Sequence, residues 1–299
     1  MKNKKNDELK KYYDELKKYY DRKVDLYLTS YTGEGRYPSN KFRLNIVLDL
    51  IGKTPGSKIL DAGCGNGIFV LSTLERGHDC YGFDISEEMI KHAKELLKEK
   101  GYDPNRVFVG DIHNIPFPNK SFDKVAILGV LQYLPDHEKI LKEIHRVIVK
   151  NGELIVSLDN SLFSIFSINK YTVDFLRNIL SHYDIPVTLI ENAIEKYSEL
   201  IQADKAVSMK KPIKTFEELS LPPKAKLYEY NPLNVEERFR KSNFEVLDMR
   251  FYHYHPLPPR FEEQFFDLFN TLAYKMEGTE YDWRGAILCN QFVVRAKAI

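Results

Sequence analysis

Asp61, Gly63, Gly65 and Gly67 stand at alternate positions in Lys58-Ile59-Leu60-Asp61-Ala62-Gly63-Cys64-Gly65-Asn66-Gly67, and Ile68-Phe69-Val70-Leu71 follows directly. A short apolar run thus meets an acid, then three residues without a Cβ, then the start of a helix. Glycines accept positive φ and let a ligand lie against bare backbone. The amides of the following helix point into the same space. A small molecule with polar or charged groups is the expected occupant. Two more carboxylates stand at the ends of later strand-like runs: Asp84, about twenty residues after the glycine turn, and Asp111 in Gly110-Asp111-Ile112. Farther on, Tyr252-His253-Tyr254-His255-Pro256 ends an apolar run. Strand alternation would put both histidines on one face and both tyrosines on the other. An imidazole near its ordinary pKa of about 6.5 could take a proton at neutral pH.

Alternating elements must position these groups. Ile59 to Asp61, Cys80 to Asp84, Arg106 to Gly110, Phe122 to Leu128 and Glu153 to Leu158 read as strands. Helices separate them: Ile68 to Arg76, Ser86 as a cap for a run to about Lys100, and Asp136 to Val149. Such alternation builds a parallel sheet covered on both faces, with ligands at the carboxyl ends of its strands. Before it, Asp7-Glu8-Leu9-Lys10-Lys11-Tyr12-Tyr13 repeats as residues 14 to 20, and Leu9, Tyr13, Leu16, Tyr20, Val24 and Tyr27 share one helical face. Asn40 to Ile51 reads as a second helix. In that reading Arg36 and Arg43 are surface charges unless the segment folds over the ligand. After Asn160 the alternation stops: Val173 to Ser181 and Thr188 to Ala203 read as helices. Asn234-x-x-Glu237 reads as a capping box, and Glu245 to His255 and Ile287 to Lys297 read as the last strands. His137 and His145 are expected on an exposed helix face, and His113 in a solvent-facing loop.

Composition narrows the function classes. With 44 Lys plus Arg against 43 Asp plus Glu, no global field draws the chain to nucleic acid. Cys64, Cys80 and Cys289 have neither C-x-x-C nor zinc-ligand spacing, so no metal and no disulfide framework is expected. No apolar run approaches a membrane span or an export signal, and a cytoplasmic location with no membrane partner is expected.

Asp61 inside the glycine motif gives D-x-G-x-G-x-G, which resembles the first motif of class I S-adenosylmethionine (SAM) dependent methyltransferases rather than the dinucleotide turn of NAD enzymes. Ile115-Pro116-Phe117-Pro118-Asn119-Lys120-Ser121-Phe122-Asp123-Lys124-Val125 is similar to the "LPFPDxSFDxV" run of many small-molecule members. Leu128-Gly129-Val130-Leu131-Gln132-Tyr133-Leu134 resembles their segment after the fourth strand, with Gln132-Tyr133 where histidine-rich versions are common. Glu143-x-x-Arg146-Val147 and Lys150-Asn151-Gly152-Glu153-Leu154 match the family's helix and the turn before its fifth strand, with Asn151-Gly152 as that turn. The resemblance covers residues 58 to about 160. It implies SAM as cofactor, with S-adenosylhomocysteine as product. It also implies that Asp61, Gly63, Cys64, Gly65 and Gly67 hold the methionine end and that Asp84 grips the ribose hydroxyls. Asp111 would take the adenine amino group, Ile85, Met89 and Ile112 would meet the ring, and Leu128 and Gly129 would line the ammonium.

The expected fold is a doubly wound, Rossmann-like, seven-stranded and mostly parallel sheet. Residues 1–52 form a helical cover, 53–160 the SAM-binding core and 161–230 an inserted helical lid. Residues 231–299 end the sheet, with a second insertion around 257–285. The expected function is methyl transfer to oxygen of a small polar or anionic metabolite, with His253, His255 and Tyr133 as candidate catalytic residues. Tyr19, Tyr20, Tyr27, Tyr31, Arg36, Tyr252, Tyr254 and Arg260 are the candidate acceptor-binding residues. The alternatives are N-methylation of a small amine and a SAM-binding protein without turnover.

Overall fold

The structure, a computed structural model, describes residues 2–22, 31, 38–182, 184–203, 228–261, 265–277 and 283–299. Seven strands make one sheet: β1 (Lys58–Ala62), β2 (Asp79–Asp84), β3 (Val107–Val109), β4 (Phe122–Ile127), β5 (Ile148–Asp159), β6 (Phe244–Tyr254) and β7 (Cys289–Ala298). Their order is β3-β2-β1-β4-β5-β7-β6, with β7 antiparallel to both its neighbours and the other pairs parallel.

Side chains of successive strand residues point to opposite faces, and the two faces carry separate cores. Leu60, Val125, Leu154, Val156, Phe292 and Val294 belong to one core. It is covered by α5 (His137–Val147), whose Ile140, Leu141 and Ile144 are buried. Ile59, Ala126, Ile155, Tyr252 and Val293 belong to the other. Covering that face are α2 (Ser39–Ile51), α3 (Ile68–Leu74) and α4 (Glu87–Glu99). Both faces being dry explains why Ile59-Leu60 in β1 and Val125-Ala126-Ile127 in β4 are apolar without alternation. Ser86 caps α4 as expected, its hydroxyl accepting from the Met89 amide at 3.1 Å.

The remaining helices are α1 (Lys2–Asp21), α6 (Phe163–Ser167), α7 (Lys170–Leu180), α8 (Val187–Ala203), α9 (Val235–Arg240), α10 (Phe266–Met276) and α11 (Gly285–Leu288). Three sequence expectations change. Asn151-Gly152 is not a turn before β5 but an irregularity within it: Asn151 takes φ 63° and Phe122 still pairs with Ile148. The Asn234 side chain makes no cap bond at α9. Ile287 lies in α11, so the last strand begins at Cys289.

Candidate active site

The glycine turn is tied to the end of β2. The amides of Gly63 and Cys64 both donate to the Phe83 carbonyl, at 2.8 and 2.9 Å. The Asp84 carboxylate completes the clamp by accepting from the Gly65 amide and the Ser86 amide, each at 2.9 Å. Gly63 has φ 89°, and a Cβ there would lie 2.3 Å from Cγ2 of Val130, so neither conformation nor space admits a side chain. Gly67 is closed in the same way by Ala93, at 2.8 Å from an added Cβ.

Inside this cradle, buried polar groups stand without partners. Asp61 is 1% exposed and its Oδ1 has none. Burial first, then the negative charge of Asp84, pushes its carboxyl up to about 8, with the Arg43 guanidinium opposing. Both polar atoms of the Asn66 side chain and Oε1 of Gln132 are likewise buried and unbonded. Such groups are costly unless something supplies hydrogen bonds. A ligand carrying an ammonium group and hydroxyls fits them.

Sequence alone marked Asp84, Asp111 and Met89, and the fold brings them to the carboxyl ends of β2 and β3. Met89 is fully buried, Ile112 is buried and Ile85 is half-buried. Asp111 remains exposed and accepts from the backbone amide of His113, at 2.9 Å, while its Oδ1 lies 2.7 Å from Nδ1 of that ring. His113 is therefore no solvent-facing loop residue. Its Nε2 reaches Asp136 at 3.0 Å, and these carboxylates, Asp111 foremost, raise its pKa. His137, expected to be exposed, is buried between the Leu131 carbonyl at 2.8 Å and the Tyr230 hydroxyl at 2.7 Å.

Helix α1 spans the same strand ends. The Tyr12 hydroxyl donates to the Tyr133 carbonyl at 2.8 Å and the Tyr13 hydroxyl to Asp136 at 3.2 Å, while the Ser86 hydroxyl donates to Asp21 at 2.6 Å. One helix thus touches the segments that follow β2, β3 and β4. Leu16 and Tyr19 are buried, and Tyr20 meets the Tyr133 ring edge-on at 5.9 Å. Tyr31 is half-buried. Tyr27 and Arg36, with Val24 of the expected helix face and the side chain of Arg260, lie outside the described residues.

On the other side of the cradle the histidine expectation changes. His253 takes φ 60°, which breaks the strand alternation. Tyr252 consequently packs in the core under α2 and Tyr254 in the opposite core, so the two tyrosines do not share a face. The His253 and His255 rings lie 4.5 Å apart, and His255 sits against Phe163 and Phe269 with neither ring nitrogen bonded. Desolvation lowers His253 to about 4 and His255 well below its ordinary range, so neither has the basicity of a free imidazole.

Residues that the motifs did not mark line the space between. Arg43, on α2, is 4% exposed, and its Nη1 would be 2.7 Å from a Cβ on Gly129. The Gly129 amide donates to the Ser157 hydroxyl at 2.8 Å, and Asp159 accepts from Gln291 at 2.7 Å. A signal for Arg43 existed. It lies four residues before Val47 and seven and eight before Leu50 and Ile51, on a buried helical stripe. A cation in an apolar stripe faces inward, not toward solvent.

Residues 60–156 match the family described as Methyltransferase domain. Over these residues the chain carries a methyltransferase domain, in keeping with the resemblance of its motifs to the class I SAM-dependent methyltransferases. Its cofactor is SAM, whose ammonium and hydroxyls suit the unpartnered buried groups of the cradle. A demethylmenaquinone methyltransferase of Geobacillus stearothermophilus is 32% identical over 148 residues, 48% of this chain and 62% of that protein. One of Bacillus velezensis is 27% identical over 179 residues, 58% of this chain and 75% of that one. The chain thus spans less than two thirds of the first relative's length. Among solved structures, a SAM-dependent methyltransferase of Thermotoga maritima, described as a possible histamine N-methyltransferase, aligns with TM-score 0.55 and 16% identity. That alignment covers 94% of this chain and 99% of the other. The magnesium protoporphyrin IX methyltransferase of Synechocystis PCC 6803 aligns with TM-score 0.52 and 12% identity, over 95% and 98%. These likenesses show the fold. The methyltransferase family match begins after α1 and α2 and ends ahead of α6. Among the described residues no three His, Cys, Asp or Glu side chains group as a metal site, and no helix is long and apolar enough to cross a membrane.

Proposed function

We propose that this chain transfers the methyl group of SAM to a hydroxyl oxygen of a small polar acceptor held between the cofactor cradle and the helical segments around it. The observation that carries the reading is a convergence on the segment after β4. The Tyr228 amide, returning from the 161–230 insertion, donates to the Gln132 carbonyl at 2.8 Å, and α1 reaches the neighbouring Tyr133 carbonyl from the other side. The Tyr230 amide then donates to the Asp159 carbonyl at 2.8 Å, anchoring the same return at the end of β5. Two segments outside the family match would thus enclose the strand ends where ligands of such sheets bind.

SAM supplies a methyl carbon already activated by its sulfonium. Asp84 would hold the ribose hydroxyls, Asp111 the adenine amino group and Asp61 the ammonium, while Ile85, Met89 and Ile112 would shape the ring's pocket. Tyr133, Asp159 and Gln291 would orient the acceptor. Alignment of this kind supplies on the order of 7–11 kcal/mol. Because His253 and His255 are depressed in basicity, alignment and exclusion of water, rather than a histidine base, would carry the transfer.

A second reading, methylation at carbon on a quinone-type acceptor, rests on the names of the relatives above and on one surface feature. The segments around the acceptor side expose large apolar residues, with Val187 72%, Leu189 60% and Trp283 70% exposed. A screen of hydroxylated acceptors and reduced quinones, read by S-adenosylhomocysteine release with 13C-methyl SAM, separates the readings, since the shift of the transferred carbon reports the atom it joined. No turnover with any hydroxylated acceptor, alongside turnover on a quinol carbon, would replace the oxygen reading.

Removing residues 1–22 is expected to abolish transfer while S-adenosylhomocysteine still binds measurably by calorimetry. Full turnover in the truncated chain would show that α1 is no part of the acceptor enclosure.

A further inference from the structure

We infer that His113 is a positioning residue for the transfer: it bridges the Asp111 and Asp136 carboxylates and, through Tyr13, fastens α1 over the strand ends. This rests on the reading of α1 as part of the acceptor enclosure. Tyr13 lies 100 residues before His113 and Asp136 lies 23 after it, so only tertiary packing brings them to one imidazole.

The bond pattern carries the inference. Nδ1 of His113 lies 2.7 Å from Oδ1 of Asp111, and Nε2 lies 3.0 Å from Oδ1 of Asp136. Ionised carboxylates only accept, so a ring that satisfies both must donate from both nitrogens and carry a positive charge. Tyr13 closes the arrangement from α1. Its hydroxyl donates to the same Asp136 oxygen at 3.2 Å and lies 3.3 Å from Nε2, and its ring tilts against the imidazole at 5.2 Å. The His113 side chain is 13% exposed, which shelters the bridge from solvent. Loss of its charge would set a lone pair against a carboxylate and leave α1 only the Tyr13 to Asp136 bond at this point. The titratable and charged groups around it are Asp111 on its own loop, Asp136 ahead of α5, Tyr12 and Tyr13 on α1, and Lys139 on α5, which acts on Asp111. Tyr228, on the return from the insertion, is in turn raised by Asp136. Asp111 first and then Asp136, against burial, hold the imidazole's pKa above 6.5. The bridge is therefore complete below that pH and is lost as the pH rises through the elevated value.

Amide hydrogen exchange of the full-length protein, read by mass spectrometry on peptides of α1 and corrected for the intrinsic pH dependence of exchange, tests this. In His113→Phe at neutral pH, α1 should exchange about tenfold faster, as loss of one charge-assisted hydrogen bond implies, while peptides of β4 and β5 stay unchanged. The wild type should lose the same protection as the pH rises from about 6 to about 9, and His113→Phe should show no such dependence. Tyr13→Phe, which removes the hydroxyl alone, should release α1 in the same way, and the double variant should exchange no faster than the faster single one. At saturating SAM, turnover with an acceptor from the screen above should fall along the same pH profile in the wild type and stay low and flat in His113→Phe. Additive loosening in the double variant, or faster exchange throughout the sheet in His113→Phe, overturns the inference and marks a structural residue. Full turnover after removal of residues 1–22 overturns the enclosure reading and the positioning role with it. Unchanged α1 exchange in both single variants of a chain that needs residues 1–22 overturns this inference alone.

Discussion

Asp84→Ala is expected to lower the affinity for S-adenosylhomocysteine at least tenfold in a protein that still folds. Its carboxylate does two things at once. It accepts from the Gly65 and Ser86 amides, holding the glycine turn against the start of α4, and under the proposed cofactor assignment it would also accept from the ribose hydroxyls. Hydrogen bonds to a charged group are worth about 1.5–3 kcal/mol each, and about 1.4 kcal/mol already corresponds to tenfold. The core beneath is untouched, because Phe83 and Met89 remain packed on either side of it in sequence. Calorimetry on a variant with unchanged circular dichroism tests this. Unaltered affinity would remove Asp84 from the cofactor site.

The second large effect is a pH dependence that belongs to Asp61. Without ligand its carboxyl titrates near pH 8, because it is buried beside Asp84 and only partly offset by Arg43. An ammonium group prefers the carboxylate form, so binding must expel the proton whenever the pH lies below about 8. Cofactor affinity should therefore rise with pH toward 8, by at most tenfold per pH unit, and flatten above it. Titrations in buffers of different ionisation enthalpy near pH 6.5 should register release of close to one proton. Asp61→Asn should abolish both the release and the slope and weaken binding at pH 8. The stability of the ligand-free protein should move in the opposite sense. The folded chain keeps this proton to about pH 8, whereas the unfolded chain loses it near 3.8. Folded protein thus binds more protons across that window, stability falls as pH rises through it, and the asparagine variant should melt higher than wild type at pH 8. A proton count of zero on binding would show that Asp61 is already ionised or does not meet the ammonium.

The local chemistry of the cofactor cradle was legible in the sequence. An acid at a strand end and glycines at 63, 65 and 67 admit few conformations, and each of those glycines does take positive φ. The alternation of strands and helices fixed the parallel part of the sheet for a similar reason: continuous apolar runs must be buried on both faces. Departures from the reading occur where a single backbone angle or a distant partner decides. His253 at φ 60° separates Tyr252 from Tyr254, and no periodicity announces such an angle in a β-rich run. Asn151 acts similarly in β5, where the turn expected between helix and strand is an irregularity within the strand.

What the sequence determined by itself is therefore what short-range stereochemistry enforces: the strand, turn and helix of the cradle, its acids, and the class of cofactor they resemble. Tertiary structure alone decided which charges share a space. Arg43, His113 and His137 each looked like surface residues on their own elements. They become a buried cation beside Gly129, a ring between two carboxylates and a buried hydrogen-bonded imidazole only when segments 23 to 100 positions away pack against them. Desolvation and Coulomb interaction depend on distance in space, which a sequence pattern of a few residues does not carry.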